Sequence, residues 1–369
     1  MRILLLLARF FPAGQTTHVV DLARALARLG HDVTLLNTIP TNYLQVNRAE
    51  HLQDLETAGV RVILAPAAGI DPDSLLRDGP HPEVVHAHST LDFALAASLS
   101  AQLGVPYVLT AHGLGISGIV AGQYLAGAAT VIAVGRRVAE EVSTMTPRVV
   151  VIENGVDTER FHPPEPGRGA SSDMAGTNPL AILYAGRIGP LRLTSFRALA
   201  SAACLLAQRR SVRLTVLAMS VPPLGEPLEG ALKAVLDFRG WLADPSPVFR
   251  EVDVVVGSGR VIREGLASGK PCLLLGSAYR GLVSPASLNP ALGHDFSGTD
   301  PSRPPPDGKC ILDDLDRLAK DSGLRQGLAE NGRDYALAHL GLERMALLTV
   351  GVYANSRRTF TAARLGPSG

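Results

Sequence analysis

Short, continuously apolar runs alternate with segments of helical periodicity along most of the chain. In the first 160 residues the apolar runs predict strands over the ranges 2–7, 32–36, 60–64, 83–88, 107–110, 130–134 and 149–152. Between the first two, Val19, Leu22, Leu26 and Leu29 mark one face of a helix, which Gly30 ends. Because the runs are continuous rather than alternating, they indicate strands covered on both faces, as in an open parallel α/β sheet.

The composition shifts to Pro, Gly, Ser and Asn over residues 161–179, and the α/β rhythm then restarts. Strands are predicted over 181–184, 213–218, 252–256 and 272–275 and near Phe238, and helices over 194–207, 228–236, 261–268, 311–318, 323–339 and 342–356. Residues 284–307 are predicted to form a long loop. The pattern indicates an α/β protein of two doubly wound, Rossmann-like domains that face each other across a cleft.

The predicted boundaries follow from this alternation. They are an N-terminal domain over 1–160, a linker over 161–179, a C-terminal domain over 180–341, a helix over 342–358 that returns to the N-terminal domain, and a disordered tail over 359–369.

Composition narrows the class of protein. The 369 residues are 46% hydrophobic and 19% charged, which is typical of a globular protein with a large core. The net charge is +1, so the chain lacks the excess of positive charge that is typical of nucleic-acid-binding proteins. The 3 cysteines lack CxxC spacing, which argues against a disulfide framework or a zinc site. The apolar run at the start is too short for a signal peptide, so we expect a cytoplasmic protein.

One stretch in the second half has the features of an anion-binding device. An apolar strand runs into Gly257-Ser258-Gly259, and a short helix that contains Glu264 follows. A helix start presents unpaired N–H groups and a positive dipole end to an anion such as a phosphate. The carboxylate of Glu264 is placed to accept hydrogen bonds from hydroxyl groups of the same ligand.

Eight stretches, taken in order, resemble GT-B glycosyltransferases of the retaining, glycogen-synthase-like group called family four. They are GHDVTLL, VVHAHS, VLTAHG, VIAVGRRVAEEV, VIENGVDTERFHP, LYAGRIGPLR, FRGWLADPSPVFREVDVVV and REGLASGKP, and the resemblance spans roughly residues 1–353. It implies a hexosyltransferase-like enzyme whose C-terminal domain binds a nucleoside diphosphate sugar, in which the nucleotide is UDP or GDP. It also implies that no metal or other cofactor is needed, because positive side chains and a helix start neutralise the diphosphate.

The resemblance assigns donor-binding roles. Arg187, after Gly186, and Arg192 hold the diphosphate, and Arg192 stands where lysine is usual. Glu264 matches the second glutamate of a paired motif and binds the ribose. The first glutamate of that pair falls on Val256 and is absent. The loop that follows is about six residues shorter than usual, so Gly257, Ser258 and Gly259 are expected to replace that glutamate with backbone N–H groups. Arg239, Gly240 and Trp241 match the stretch whose backbone reads the nucleobase.

The N-terminal domain is expected to bind the acceptor, which is a saccharide, a lipid-linked or a small molecule. His112 matches a position close to the transferred sugar, and His88 is expected to line the cleft, with His86 structural. Gly14 matches a glycine pair that lets the backbone approach the ligands. Gln15 and Thr16 open the first helix and bind through their N–H groups, or Thr16 caps it. Loops over 39–49 and 113–122 are expected to choose the acceptor. A lipid-linked acceptor would bring peripheral membrane contact, but no basic amphipathic helix is evident.

Two other functions remain open from the sequence. GSGRVIRE followed by GKP also resembles inverting GT-B transferases that form cell-wall lipid intermediates, and His18 would then be the general base. The second alternative is a non-catalytic binder of sugar nucleotides that lost the first glutamate.

Overall fold

The computed structural model describes residues 1–10, 13–39, 48–64, 81–116, 118–165, 179–288, 296–299 and 305–365. The chain divides into two compact units. Unit 1 comprises Met1–Gly155 with Leu342–Gly369, and unit 2 comprises Val156–Gly341. The division falls at Gly155 rather than at the predicted residue 160. Most of the predicted linker, residues 166–178, lies outside the described residues, as do residues 40–47 of one predicted acceptor loop.

Unit 1 is built on a parallel sheet of seven strands among the described residues. In chain order they are β1 (Arg2–Leu7), β2 (Asp32–Asn37), β3 (Arg61–Leu64), β4 (Val84–Ala87), β5 (Tyr107–Ala111), β6 (Thr130–Ala133) and β7 (Val149–Val151). Their order in the sheet is β3-β2-β1-β4-β5-β6-β7. The chain order reverses between β1 and β4, and ligands of such sheets bind at the carboxyl ends of the strands at that point.

Helices cover this sheet and bury its apolar faces. They are α1 (Gly14–Arg28), α2 (Arg48–Thr57), α3 (Phe93–Leu103), α4 (Ile119–Gly127), α5 (Arg136–Ser143) and α12 (Leu342–Leu365). Val19, Leu22 and Leu26 of α1 are fully buried, as the helical period predicts, and they share a core cluster with Tyr353 of α12. The predicted disordered tail is wrong up to Leu365, because no glycine or proline lies between Thr359 and Leu365 to end α12 before Gly366.

Unit 2 repeats the architecture with six strands among the described residues. They are β8 (Leu180–Ala185), β9 (Val212–Leu217), β10 (Leu236–Phe238), β11 (Val254–Gly257), β12 (Cys272–Leu275) and β13 (Tyr279–Leu282). The order is β10-β9-β8-β11-β12-β13, with β13 antiparallel to β12. The switch point of this sheet therefore lies between β8 and β11. The two doubly wound sheets confirm the predicted α/β fold class.

Several elements of unit 2 differ from the sequence predictions. The helices are α6 (Pro190–Ala207), α7 (Leu228–Leu232), α8 (Ser246–Glu251), α9 (Arg260–Ala267), α10 (Gly308–Lys320) and α11 (Ser322–His339). α6 starts four residues before the predicted residue 194, because Pro190 occupies its first turn. The predicted helix over 228–236 ends at Leu232, since Leu236 instead pairs with Leu214 of β9. The sequence pattern missed both α8 and β13.

Among the described helices, we find none with the length and apolar character needed to cross a membrane.

Candidate functional site

Four histidines gather at the carboxyl edge of the unit 1 sheet. His18 lies in α1, which follows β1; His86 lies in β4 and His88 directly after it; His112 directly follows β5. These ends meet because β1, β4 and β5 are neighbours in the sheet. His18, His86 and His88 are buried, and His112 is half-buried.

The rings of His18, His88 and His112 form a compact group. His88 Nδ1 lies 3.2 Å from His112 Nε2. The ring centre of His18 is 5.5 Å from that of His88 and 4.8 Å from that of His112, and the remaining pair is 5.5 Å apart. The side-chain amide of Gln15 donates a hydrogen bond to the carbonyl of His88. Unit 1 thus brings together the predicted residues Gln15, His88 and His112, with His18 beside them.

His86 lies behind this group and has its own partners. Its Nδ1 is 2.6 Å from the Tyr353 hydroxyl of α12, and its Nε2 is 2.7 Å from Thr110 Oγ1 of β5. The ring centre of His86 is 4.1 Å from that of His88. Both nitrogens of His86 are therefore engaged within unit 1, and the ring supports His88 from behind.

Burial keeps these imidazoles neutral. Desolvation, with a smaller contribution from His112, lowers the pKa of His86 to about 3. Desolvation lowers the pKa of His112 to about 4, and it holds the pKa of His88 well below the usual value, helped by the neighbouring imidazoles. At neutral pH each of these three rings offers one lone pair and one N–H group.

The start of α1 differs from the predicted arrangement. Ala13, and not Thr16, occupies the N-cap position, and no side chain caps the helix. Thr16 is buried, and its hydroxyl lies 3.5 Å from the carbonyl of Arg9. Gly14 is exposed, and a Cβ placed there would meet no atom within 4 Å. The space around Gly14 therefore does not require glycine in the described chain.

In unit 2, two glycine-containing loops meet at the switch point between β8 and β11. Gly186 follows β8 with φ +136°, a conformation that favours glycine, and the next residue, Arg187, is exposed. Gly257 is the last residue of β11, and a Cβ there would lie 2.9 Å from Cγ1 of Val261 in α9. Its missing side chain lets the start of α9 pack close against the strand.

Ser258 and Gly259 are engaged within the protein. Arg192, in the first turn of α6, donates a hydrogen bond from Nη1 to Ser258 Oγ, which joins the two loops. Gly259 is the N-cap of α9 with φ +62°, and its N–H donates to the carbonyl of Phe296. The expectation that all three turn residues offer free N–H groups is therefore wrong for Gly259.

Glu264 has a partner that the sequence analysis missed. The carboxylate is buried in α9, and its Oε1 lies 2.6 Å from Nε of Arg260, one turn earlier. Because residues four apart share a helix face, the i, i+4 spacing in RVIREG is the signal that could have revealed the pair.

The position of the missing glutamate is also explained. Val256 is fully buried in β11, where it pairs with Tyr184 of β8 and Leu273 of β12. A glutamate at residue 256 would place its carboxylate in the core of unit 2, away from any ligand. With the shortened loop, residue 256 therefore cannot take the role of the first glutamate of the paired motif.

Arg239 is held by carboxylates rather than presented to a ligand. Its Nε lies 2.9 Å from Asp237, its Nη1 lies 2.8 Å from Glu251, and its backbone N–H donates to a carbonyl of β9. Gly240 follows with φ +72°, and Trp241 is half-buried. The side chain and the backbone N–H of Arg239 therefore already have partners within unit 2. The part of the predicted nucleobase stretch that these contacts leave out is the backbone from Gly240 onwards.

Comparisons with known proteins agree with this architecture. Residues 12–160 match the family model described as Glycosyltransferase Family 4. D-inositol 3-phosphate glycosyltransferase of Frankia alni is 26% identical over 380 residues, which cover 86% of this chain and 88% of that protein.

Solved structures match over nearly the whole chain. Anabaena HepE in complex with UDP and glucose has a TM-score of 0.70 at 17% identity, covering 96% of this chain and 99% of the other. Sucrose-phosphate synthase from Thermosynechococcus elongatus has a TM-score of 0.67 at 20% identity, covering 98% and 99%.

The two sheets and these matches define the fold: the chain has the GT-B architecture and is similar over most of its length to known glycosyltransferases. Its N-terminal part carries the Glycosyltransferase Family 4 domain, which confirms the family-four resemblance of the sequence.

Proposed function

We propose that the protein transfers a sugar from a nucleoside diphosphate sugar to an acceptor hydroxyl, with unit 2 binding the donor and unit 1 the acceptor. The observation that carries this proposal is the group at the β8–β11 switch point, where Arg187, Arg192, the start of α9 and Glu264 lie on adjoining elements. HepE, a structural relative, has been solved with UDP and with UDP-glucose. UDP is therefore the nucleotide that we propose.

The charges of this group suit a diphosphate without a bound metal. Two guanidinium groups supply two positive charges, and the start of α9 adds the positive end of its dipole. The exposed side chain of Arg187 is available to a phosphate, and Arg192 needs only to share its contact with Ser258. Glu264 accepts the ribose hydroxyls, while Arg260 balances its charge.

Retention of the anomeric configuration suits His88 and His112 better than inversion with either of them as the general base. An inverting enzyme needs a general base, and such a base works best when its pKa lies near the working pH. Burial holds the pKa values of His88 and His112 far below that range, so both rings are weak bases. In a retaining reaction their neutral N–H groups and lone pairs position sugar hydroxyls, while the departing phosphate accepts the proton.

The donor assignment is tested by calorimetric titration with UDP and with uridine. We expect Arg187→Ala to weaken UDP binding about tenfold to a hundredfold, the size of a lost charged hydrogen bond, and to leave uridine binding unchanged. Glu264→Ala should weaken both, because the ribose is common to them. Arg197→Ala and Glu330→Gln change exposed residues of α6 and α11 and serve as matched controls. Unchanged UDP affinity in Arg187→Ala and Glu264→Ala would contradict the assignment.

The reaction itself is tested by proton NMR of the product formed from UDP-glucose and a panel of acceptors. The proposal predicts an α-linked product from this α-linked donor. A β-linked product would instead support the inverting alternative with His18 as base. UDP binding without transfer or hydrolysis across the panel would support a non-catalytic binder.

A further inference from the structure

His88 and His112, which position sugar hydroxyls in the proposed transfer reaction, also form with His18 a set of potential metal ligands, and an ion bound there competes with the sugar for these rings. We propose that His18, His88 and His112 bind a divalent transition-metal ion of the zinc class. Each residue offers one ring nitrogen, and the three ligand atoms all lie within 4.8 Å of one another. They come from three separate elements that the sheet order brings together, so the cluster is a product of the fold and not of local sequence.

The spacing of the rings is close to that of three histidines around one tetrahedral ion. With metal–nitrogen bonds of about 2.0–2.1 Å, the nitrogens lie about 3.3 Å apart and the ring centres about 5.2 Å apart. Here His88 Nδ1 and His112 Nε2 are 3.2 Å apart, and the three ring centres are 4.8 to 5.5 Å apart. Since no ligand-atom pair exceeds 4.8 Å, the site must contract by at most about 1.5 Å at any pair.

The surroundings of His88 leave its ring able to ligate. Among the described residues, neither of its nitrogens is committed to a backbone or carboxylate partner: Nδ1 faces His112, and Nε2 is buried without a hydrogen bond. The strand that carries the ring is nevertheless fixed. Gln15 holds the carbonyl of His88, and His86, bonded on both sides, lies against its ring.

The donor set selects the class of ion. Three neutral imidazoles suit zinc, nickel and copper, whereas magnesium and calcium need oxygen ligands. Three protein ligands also leave a fourth position for water or another small ligand, the arrangement of an open zinc site. The proposed ion therefore lies in unit 1 and is separate from diphosphate neutralisation in unit 2.

The test measures metal content and heat of binding on the full chain after treatment with a chelator. We expect the wild type to take up about one equivalent of Zn²⁺ or Ni²⁺ and no Mg²⁺ in titration with each chloride salt. His112→Gln and His18→Gln should each lower the affinity at least about tenfold, because each removes one of three ligands. His81→Gln changes an exposed histidine of unit 1 and is the matched control.

Thermal unfolding without metal establishes that each variant folds. The proposal is overturned if the chelated wild type takes up neither ion, which needs no variant. It is also overturned if a folded His112→Gln or His18→Gln binds as tightly as His81→Gln. Because the readout is metal binding, failure here leaves the proposed transfer reaction standing, and failure of the transfer reaction leaves this test intact.

Discussion

Asp92 lies buried between β4 and α3, where the fold controls its charge. Thr38 donates a hydrogen bond to its Oδ1, whereas Oδ2 is buried and has no partner among the described residues. Desolvation outweighs the hydrogen bonds and raises the pKa of Asp92 to about 6. A raised carboxyl pKa means that the folded state holds the proton more tightly than the unfolded chain does.

Asp92→Asn is expected to alter how stability changes with pH. The protonated carboxyl adds stability at low pH, and this contribution is lost as the pH rises through about 6. Between about pH 5 and pH 8 the wild type should lose about 1.4 kcal/mol relative to the uncharged variant. Urea unfolding of both proteins at the two pH values measures the difference. A constant gap between the two proteins would show that Asp92 does not titrate in this range.

Single glycines in the loops have different reasons for their identity. Gly259 and Gly14 both have open space where a Cβ would lie, but only Gly259 has a positive φ, of +62°. Replacing Gly259 therefore destabilises the protein through strain in the backbone and not through a steric clash of the new side chain. The reason for glycine at residue 259 is the left-handed turn that starts α9, while at residue 14 the described structure gives no such reason.

Gly259→Ala should lower the free energy of unfolding by about 1–3 kcal/mol, the usual cost of forcing an alanine into such a conformation. Gly14→Ala has the same added atom without the strain and should change stability by less than about 0.5 kcal/mol. Urea denaturation of the two variants compares them directly. Equal losses, or none in Gly259→Ala, would mean that the turn relaxes without cost.

At the scale of elements, the sequence predicted what depends on local pattern and missed what depends on pairing between distant segments. The ends of β1, β4 and β5 followed from their apolar runs, so His88 and His112 were placed correctly at one sheet edge. Leu236 continued a helical pattern, yet its pairing with Leu214 made it a strand. His18 was considered only as a base, because its contact with His112 arises from strand order, which one sequence does not reveal.

The last helix is tied to the sheet of unit 1 through buried polar contacts. The Tyr353 hydroxyl lies 2.6 Å from Nδ1 of His86, and Ser356 Oγ lies 3.0 Å from Thr130 Oγ1, both at hydrogen-bond distance. Both side chains of α12 are fully buried, so the contacts fix the helix in register against β4 and β6.

Tyr353→Phe should destabilise the protein by about 1–3 kcal/mol, because it leaves the buried Nδ1 of His86 without its partner. Amide hydrogen exchange of α12 should accelerate in the same variant, since the helix loses one of its fixed contacts. Tyr124→Phe makes the same chemical change in unit 1 at a half-buried residue, whose carbonyl takes part in the described bond to Tyr107, and serves as control. Exchange in α12 equal to that of the control would contradict the role given to Tyr353.

At the scale of the whole molecule, the two units differ in the buried histidines that must gain a proton when the protein is acidified. Among the described residues, His86, His88 and His112 have strongly lowered pKa values, and all three lie in unit 1. Trp241, the only tryptophan of the sequence, lies in unit 2. Its fluorescence therefore reports one unit, whereas far-ultraviolet circular dichroism reports both.

We expect unit 1 to unfold before unit 2 when the protein is acidified. The pKa values of His86 and His112 are lowered to about 3 and 4, so the stability they give is present above 6.5 and is lost as the pH falls toward those values. At about pH 5.5 each costs about 1.2 kcal/mol relative to about pH 7, and His88 acts in the same direction. Asp92 offsets only about 0.8 kcal/mol, because its raised pKa has the opposite sign.

The measurement is an acid titration followed by both optical signals. Circular dichroism should begin to change at a higher pH than the fluorescence of Trp241, since unit 1 melts while unit 2 is intact. His112→Gln removes one of the groups that must charge, so it should move the first transition to lower pH and leave the fluorescence transition in place. Coincident transitions, or a fluorescence change that comes first, would show that the buried histidines do not set the acid limit of the molecule.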